Sequence, residues 1–163
     1  MTDAPPIDPA FDAHDHAACV GGQLAAVEER CAEAGLRLTP VRRRVLEILL
    51  AEHRAVGAYE VLARLREDGR AAAPPVAYRA LDFLVGHGFA HRIERLNAYL
   101  ACGAAGQDHA AAFLICRDCG IVAEARLEED EAGRLDRAAA AAGFVIEGTV
   151  MEASGVCAAC AAR

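Results

Sequence analysis

Residues 74–102, PPVAYRALDFLVGHGFAHRIERLNAYLAC, decide the fold. Pro74-Pro75 breaks the preceding chain and opens a helix, since proline is pre-set for the first helical turn and lacks only an N–H that has no partner there. The helix is predicted over residues 76–87. Ala77, Leu81, Leu84 and Val85 recur at helical spacing and face inward, leaving Tyr78, Arg79 and Asp82 outward. After Gly86 and Gly88 the period shortens. Residues 89–94 and 98–102 read as two strands joined through Arg95-Leu96-Asn97, a hairpin. A helix with an outward Tyr-Arg pair followed by a hairpin is the second half of a winged helix-turn-helix, with that helix set into a major groove. A generic helical bundle with a hairpin is the competing reading.

The upstream residues supply the other helices. Thr39-Pro40 pairs a capping hydroxyl with proline at the first helical position, and Val41, Val45, Ile48 and Leu49 form the apolar face of the helix that follows. Residues 58–68 form a third helix burying Val61, Leu62 and Leu65, with Gly69 as its stop. Residues 24–34 form the first helix, and Cys31 within it reads as a buried thiol. Residues 1–22, rich in proline and aspartate and ending in Gly21-Gly22, read as a flexible acidic tail. His14, His16 and Cys19 are potential metal ligands there, although the composition favours a disordered tail with incidental ligands.

Downstream the character changes. Residues 103–111 are small and polar, a hinge. Strands at 112–116 and 121–125 flank a knuckle at 117–120; a helix at 127–142 and a strand at 144–152 lead to the terminal Cys157-Ala-Ala-Cys160. The fold class is therefore α+β: a winged-helix domain at 23–102, then a small α/β domain at 112–163. Cys116-x-x-Cys119 and Cys157-x-x-Cys160 each hold two thiols on a tight turn, at a reach that suits tetrahedral zinc. A segment this small gains needed stability from such a metal. Thiol redox chemistry is the alternative, but it favours a C-x-x-C at the start of a helix, and the first pair lies between strands.

The softer ligand candidates are His91 and Cys102 on the hairpin, His109 in the hinge and Glu124 at the end of a strand. Singly each reads as an ordinary surface or core residue. Together they offer two nitrogens, a sulfur and an oxygen, a set zinc accepts.

The 163 residues carry a net charge of −7, with 24 acidic residues against 17 basic ones, every basic one an arginine. That balance excludes a uniformly basic coat for nucleic acid, but not a local basic face. Residues 1–23 hold four aspartates and no arginine; residues 24–100 hold twelve arginines against ten acids; residues 101–163 hold five against ten. Only the winged-helix segment is positive, with Arg37, Arg42, Arg43 and Arg44 clustered in it. A solvated helix face competes with phosphate contact as their role. No apolar run approaches ~20 residues, so no membrane span is expected. The N-terminus lacks the pattern of a secretory signal. A cytoplasmic location follows, where paired cysteines more often bind metal than form disulfides.

In order along residues 24–160, the stretches LRLTPVRRRVLEIL, AYEVLARL, PPVAYRALDFLVGHGFAHRIE, AYLAC, FLICRDCGIVAE and GVCAAC resemble the ferric uptake regulator superfamily. YRALDFL followed by FAHRIE is most similar to its zinc uptake regulator branch. The histidine-rich stretch usual before the first C-x-x-C of iron and peroxide sensors is here QDHAAAFLIC, with His109 alone. The resemblance implies a homodimeric, zinc-responsive transcriptional repressor of zinc-uptake genes that binds double-stranded operator DNA, not an enzyme. Iron, manganese or peroxide sensing on the same fold, and a thiol redox or zinc-ribbon protein, are the alternatives.

The resemblance further assigns Cys116, Cys119, Cys157 and Cys160 to a structural zinc, and His91, Cys102, His109 and Glu124 to a regulatory zinc, two ions per chain. It makes 112–163 the dimerisation and metal-binding domain. It puts Tyr78 and Arg79 on the recognition helix and Tyr59 on the helix before it. Arg79 suits bidentate pairing with guanine, and Arg42, Arg43 and Arg44 suit phosphates. One departure is Val76, where the family usually has a threonine able to cap the helix or contact phosphate. The regulatory ligands come from the winged helix, the hinge and the second domain. A metal held by all of them fixes the angle between the halves.

Overall fold

The computed structural model describes residues 9–11, 15–70, 72–105, 111–127, 129–147 and 149–163. Its first helix, α1 (His16–Glu33), begins well before the expected residue 24 and runs through Gly21-Gly22. The expected tail is thus corrected over residues 16–22, which are helical. Two glycines cost a helix about 1 kcal/mol each relative to alanine; tertiary anchoring outweighs that here. The Asp15 side chain accepts the Ala18 N–H at 3.2 Å as a cap, His16 Nε2 donates to the Ala51 carbonyl at 2.8 Å, and Val20 and Leu24 pack on the core. Ahead of α1, a 3-10 turn at Pro9–Phe11 buries Ala10. His14 lies outside the described residues.

Helices α2 (Pro40–Leu50), α3 (Ala58–Glu67) and α4 (Pro74–Gly86) follow. Thr39 Oγ1 accepts the Arg42 N–H at 3.4 Å, the expected cap of α2. Val27, Val45, Leu46, Leu49, Val61, Leu65, Leu81 and Leu84 meet in one core. Cys31 is buried there, and burial raises its thiol pKa. The N-cap of α4 is Ala73, with proline in the first turn, so Val76 is the third helical residue. A hydroxyl at 76 would not sit at the cap; prolines without N–H groups reduce the need for one.

The wing is an antiparallel pair, β1 (Ala90–Ile93) and β2 (Ala98–Ala101), joined through a 3-10 turn and a left-handed Asn97 (φ 46°). Val56 and Tyr99 exchange N–H···O bonds of 2.8 and 2.9 Å, tying the wing to the segment between α2 and α3.

The second half is a three-stranded sheet in the order β4-β3-β5, with β3 (Ala111–Cys116), β4 (Val122–Arg126) and β5 (Met151–Gly155). β3 pairs antiparallel with β4 and parallel with β5. Between them lies α5 (Glu129–Ala141), and α6 (Ala158–Ala161) ends the chain. The expected strand at 144–152 begins only at Met151. Its partner there is Ala112, so in this register β3 offers only Ala111 to an earlier residue. Phe144, Val145 and Val150 are instead exposed.

The two halves are packed together. Arg54 bridges Ile121, and the Val122 N–H donates to the His53 carbonyl at 2.9 Å. The Glu152 carboxylate on β5 accepts the N–H groups of Glu94 and Arg95 on the wing, at 2.6 and 3.0 Å. A second apolar cluster, Ile93 and Leu100 from the wing with Phe113, Ile115 and Val122 from the sheet, fills the seam.

Candidate metal centres and nucleic-acid interface

The parallel register of β3 and β5 sets Cys116 opposite Gly155, which brings the two C-x-x-C turns side by side. Gly120, at φ +74°, closes the first turn in a conformation that favours glycine. The four sulfurs lie within 4.8 Å of one another, and Cys119 Sγ is 3.9 Å from Cys157 Sγ. Four sulfurs at the usual ~2.3 Å from a tetrahedral zinc stand ~3.8 Å apart, so the cluster fits that ion. None of the seven cysteines, all among the described residues, is joined in a disulfide.

The thiols are unequal. The Cys157 N–H donates to Cys116 Sγ at 3.3 Å, and this and the Cys119 N–H lower the Cys116 pKa to about 6. Cys160 is pushed up to about 12, first by hydrogen bonding with Cys157, then by burial and the other sulfurs. One thiolate is favoured; like charge keeps its neighbour protonated until a cation arrives.

The second cluster lies at the seam between the halves. His91 is on β1, Cys102 follows β2 and Glu124 is on β4, and their donor atoms lie within 4.8 Å of one another. His91 Nε2 is 3.3 Å from Glu124 Oε1, and Cys102 Sγ is 3.9 Å from the same oxygen. The other Glu124 oxygen accepts the Gly103 N–H at 2.9 Å, and the Ala104 N–H donates to Cys102 Sγ at 3.3 Å. Glu124, 4 % exposed, is the one charged side chain among the buried described residues. Burial, followed by the Glu124 charge, pushes the Cys102 thiol up to about 12. A carboxylate, an imidazole and a thiol gathered out of water suit a zinc-class ion. The expected fourth ligand, His109, lies outside the described residues.

On the winged-helix half, Tyr59 is 75 % exposed and Tyr78 40 %, and Arg79 is exposed beside Tyr78 on α4. Arg42, Arg43 and Arg44 also have partners within the protein, while the side chains of Arg43 and Arg44 stay partly exposed. Arg42 donates to the Arg37 carbonyl at 2.7 Å and lies 3.7 Å over the Phe83 ring. Arg43 pairs with Glu28 and Glu47. Arg44 forks onto Asp68 at 2.6 and 3.1 Å and reaches Glu47. Their 42–44 spacing looks like a basic patch in sequence; acidic partners from α1 and the end of α3 could not be placed without the fold.

Sequence reasoning also missed Glu152 and His53. Glu152 gains its wing partners from the packing of the halves, and His53 meets both Val122 across the seam and His16 within its own half.

Comparison with known proteins shows the family. The sequence profile of the ferric uptake regulator family matches residues 33–154. The zinc uptake regulation protein of Escherichia coli (strain K12) is 43% identical over 138 residues, 84% of this chain and 80% of that one. A zinc uptake regulator solved with zinc and DNA superposes with a TM-score of 0.81 at 39% identity, over 88% of this chain and 95% of that one. The holo form of XcZur gives a TM-score of 0.79 at 42% identity, over 87% and 99%. Its apo form gives 0.52 at 39% identity, over 88% and 99%. At nearly equal identity, the chain superposes more closely on the holo form than on the apo form.

Proposed function

This chain belongs to the ferric uptake regulator family, and we propose that it is a zinc-responsive transcriptional repressor whose signal is read at the seam between its halves. The observation that carries this reading is the convergence of His91, Cys102 and Glu124, from both halves, on one buried point. Its protein relative is a zinc uptake regulator, and a similar structure holds zinc and DNA together.

Cys116, Cys119, Cys157 and Cys160 are proposed to hold a structural zinc, and His91, Cys102 and Glu124 a regulatory one completed by His109. That makes two ions per chain. A zinc ion at the seam supplies one centre for ligands of both halves, and the thiolate favours zinc over ions preferring oxygen and nitrogen donors. His91 and Cys102 carry the winged helix; Glu124 carries the sheet. Holding these three side chains together selects one angle out of those the separated halves would sample.

Exposed Phe144, Val145, Val150 and Leu135 form an apolar face on the second half, which is assigned to a homodimer contact. In a dimer, the angle between halves sets the spacing of two α4 helices, which must enter major grooves about 34 Å apart. Arg79 is proposed to read a guanine, with Tyr78 and Tyr59 beside it on the backbone. DNA that selects the same angle raises the seam's affinity for zinc by the same factor. Among the described residues no helix is long and apolar enough to cross a membrane; the proposed role in binding operator DNA implies action in the cytoplasm.

The test is binding to operator DNA from zinc-uptake genes at buffered free zinc, with iron and manganese as controls. Binding that rises with zinc alone is expected. Equal binding in chelator, or a response to iron only, would overturn the reading.

A further inference from the structure

The structure brings together three more ligand-bearing residues that neither cluster uses. His16 and Cys19 are three apart in the first turn of α1, and so share a helix face. His53 comes from the segment after α2, and its ring centroid is 4.9 Å from that of His16. All three line a cavity of about 20 Å3 together with Gln23, Glu52 and apolar residues that include Leu49 and Leu50 at the end of α2. That volume admits one water or one ion. His16 Nε2 donates to the Ala51 carbonyl at 2.8 Å. That bond fixes the ring, and a ligating histidine is commonly oriented by such a bond. Gln23 Nε2 donates to Cys19 Sγ at 3.6 Å.

From this geometry we propose that His16, Cys19 and His53 form a further transition-metal site of imidazole–thiolate type, suited to Zn2+. Two nitrogens and a sulfur are a zinc donor set, and Glu52 or a water completes four. Closing on the ion takes rotation of the Cys19 and His53 side chains, because the set is less tightly drawn than the two clusters above. The site ties the start of α1 to the segment on which the second half docks, since the His53 carbonyl accepts the Val122 N–H and Arg54 bridges Ile121. Metal here would brace the platform for the seam.

The experiment is a metal count on the full-length protein, dialysed against buffered free zinc, for the wild type, Cys19→Ser, His53→Gln and, as a control, His87→Ala. Cys19→Ser and His53→Gln are each expected to hold one equivalent fewer than the wild type, and His87→Ala the same as the wild type. Cobalt substitution gives a second readout: Cys19→Ser should remove one share of the thiolate-to-cobalt absorption, while His53→Gln should remove the same share without removing a cysteine. Cys19→Ser and His53→Gln both matching the wild type would overturn the site. Both residues lie outside the main core, and His53→Gln reports independently should Cys19→Ser fold poorly. The count does not depend on DNA binding, so it stands or falls apart from the repressor reading.

Discussion

Cys102 Sγ lies 3.9 Å from Glu124 Oε1, across 22 positions of sequence and across the seam between the halves. The sulfur belongs to the DNA-binding half and the carboxylate to the sheet. Anything that draws these two groups onto one centre draws the halves together, and the first predictions follow from that.

Cys102→Ser should leave a folded protein that retains the metal of the four-cysteine cluster. Replacing a zinc ligand is expected to weaken the seam site by at least about 100-fold, and zinc-dependent operator binding should disappear. Anisotropy titrations at buffered zinc, with metal analysis of the same samples, check this. Retained zinc-responsive binding would remove Cys102 from the sensor.

Zinc affinity at the seam should depend steeply on pH. The Cys102 thiol, held up to about 12, is protonated throughout the neutral range, and binding must release that proton. Affinity should therefore fall about tenfold per unit as pH drops from 8 to 7. Chelator competition at several pH values gives the slope. A flat profile would mean that Cys102 stays out of the bond.

Glu152→Ala should shift the zinc response without altering a ligand. It removes the carboxylate that accepts two wing N–H groups. Those N–H groups turn to water, so the loss is one net hydrogen-bond contribution, about 1 kcal/mol, or roughly fivefold more zinc for half-maximal DNA binding. Metal content at saturation should not change. An unmoved midpoint would show that the clasp does not favour the closed arrangement.

Arg79→Ala and Arg44→Ala should separate reading from bracing. Losing a bidentate base contact costs about 1–3 kcal/mol on the cognate sequence, so Arg79→Ala should narrow the gap between operator and random DNA. Arg44→Ala breaks the fork onto Asp68 and should lower Tm while leaving that gap intact. Equal losses on both DNAs for Arg79→Ala would argue for a phosphate contact.

The helices of the first half and the four-cysteine knuckles were legible because their information is local. Apolar spacing marked the buried faces of α2, α3 and α4, and Thr39-Pro40 marked a helix start. The early start of α1 was not legible, because its anchor is the Ala51 carbonyl, 35 positions away. The ion pairs of Arg43 and Arg44 were not legible for the same reason: a run of like charges says nothing of the Glu28 and Asp68 carboxylates that the fold sets beside it. The seam ligands were visible as residue types, but their meeting depends on how two sheets pack. The start of β5 at Met151 depended on the length of β3, which hydrophobicity in 144–150 does not report.

The apolar seam of Ile93, Leu100, Phe113, Ile115 and Val122 carries a consequence of its own. These side chains leave water when the halves close, whether or not an ion is present. They supply a fixed bias to which the ligands add, so the threshold of the response is written in hydrocarbon and its chemical identity in sulfur, nitrogen and oxygen. Trimming Ile115 to valine, at about 0.5–1.5 kcal/mol, would move the dose at which the switch turns while leaving untouched what it recognises. Selection can thus tune when such a sensor answers separately from what it answers to.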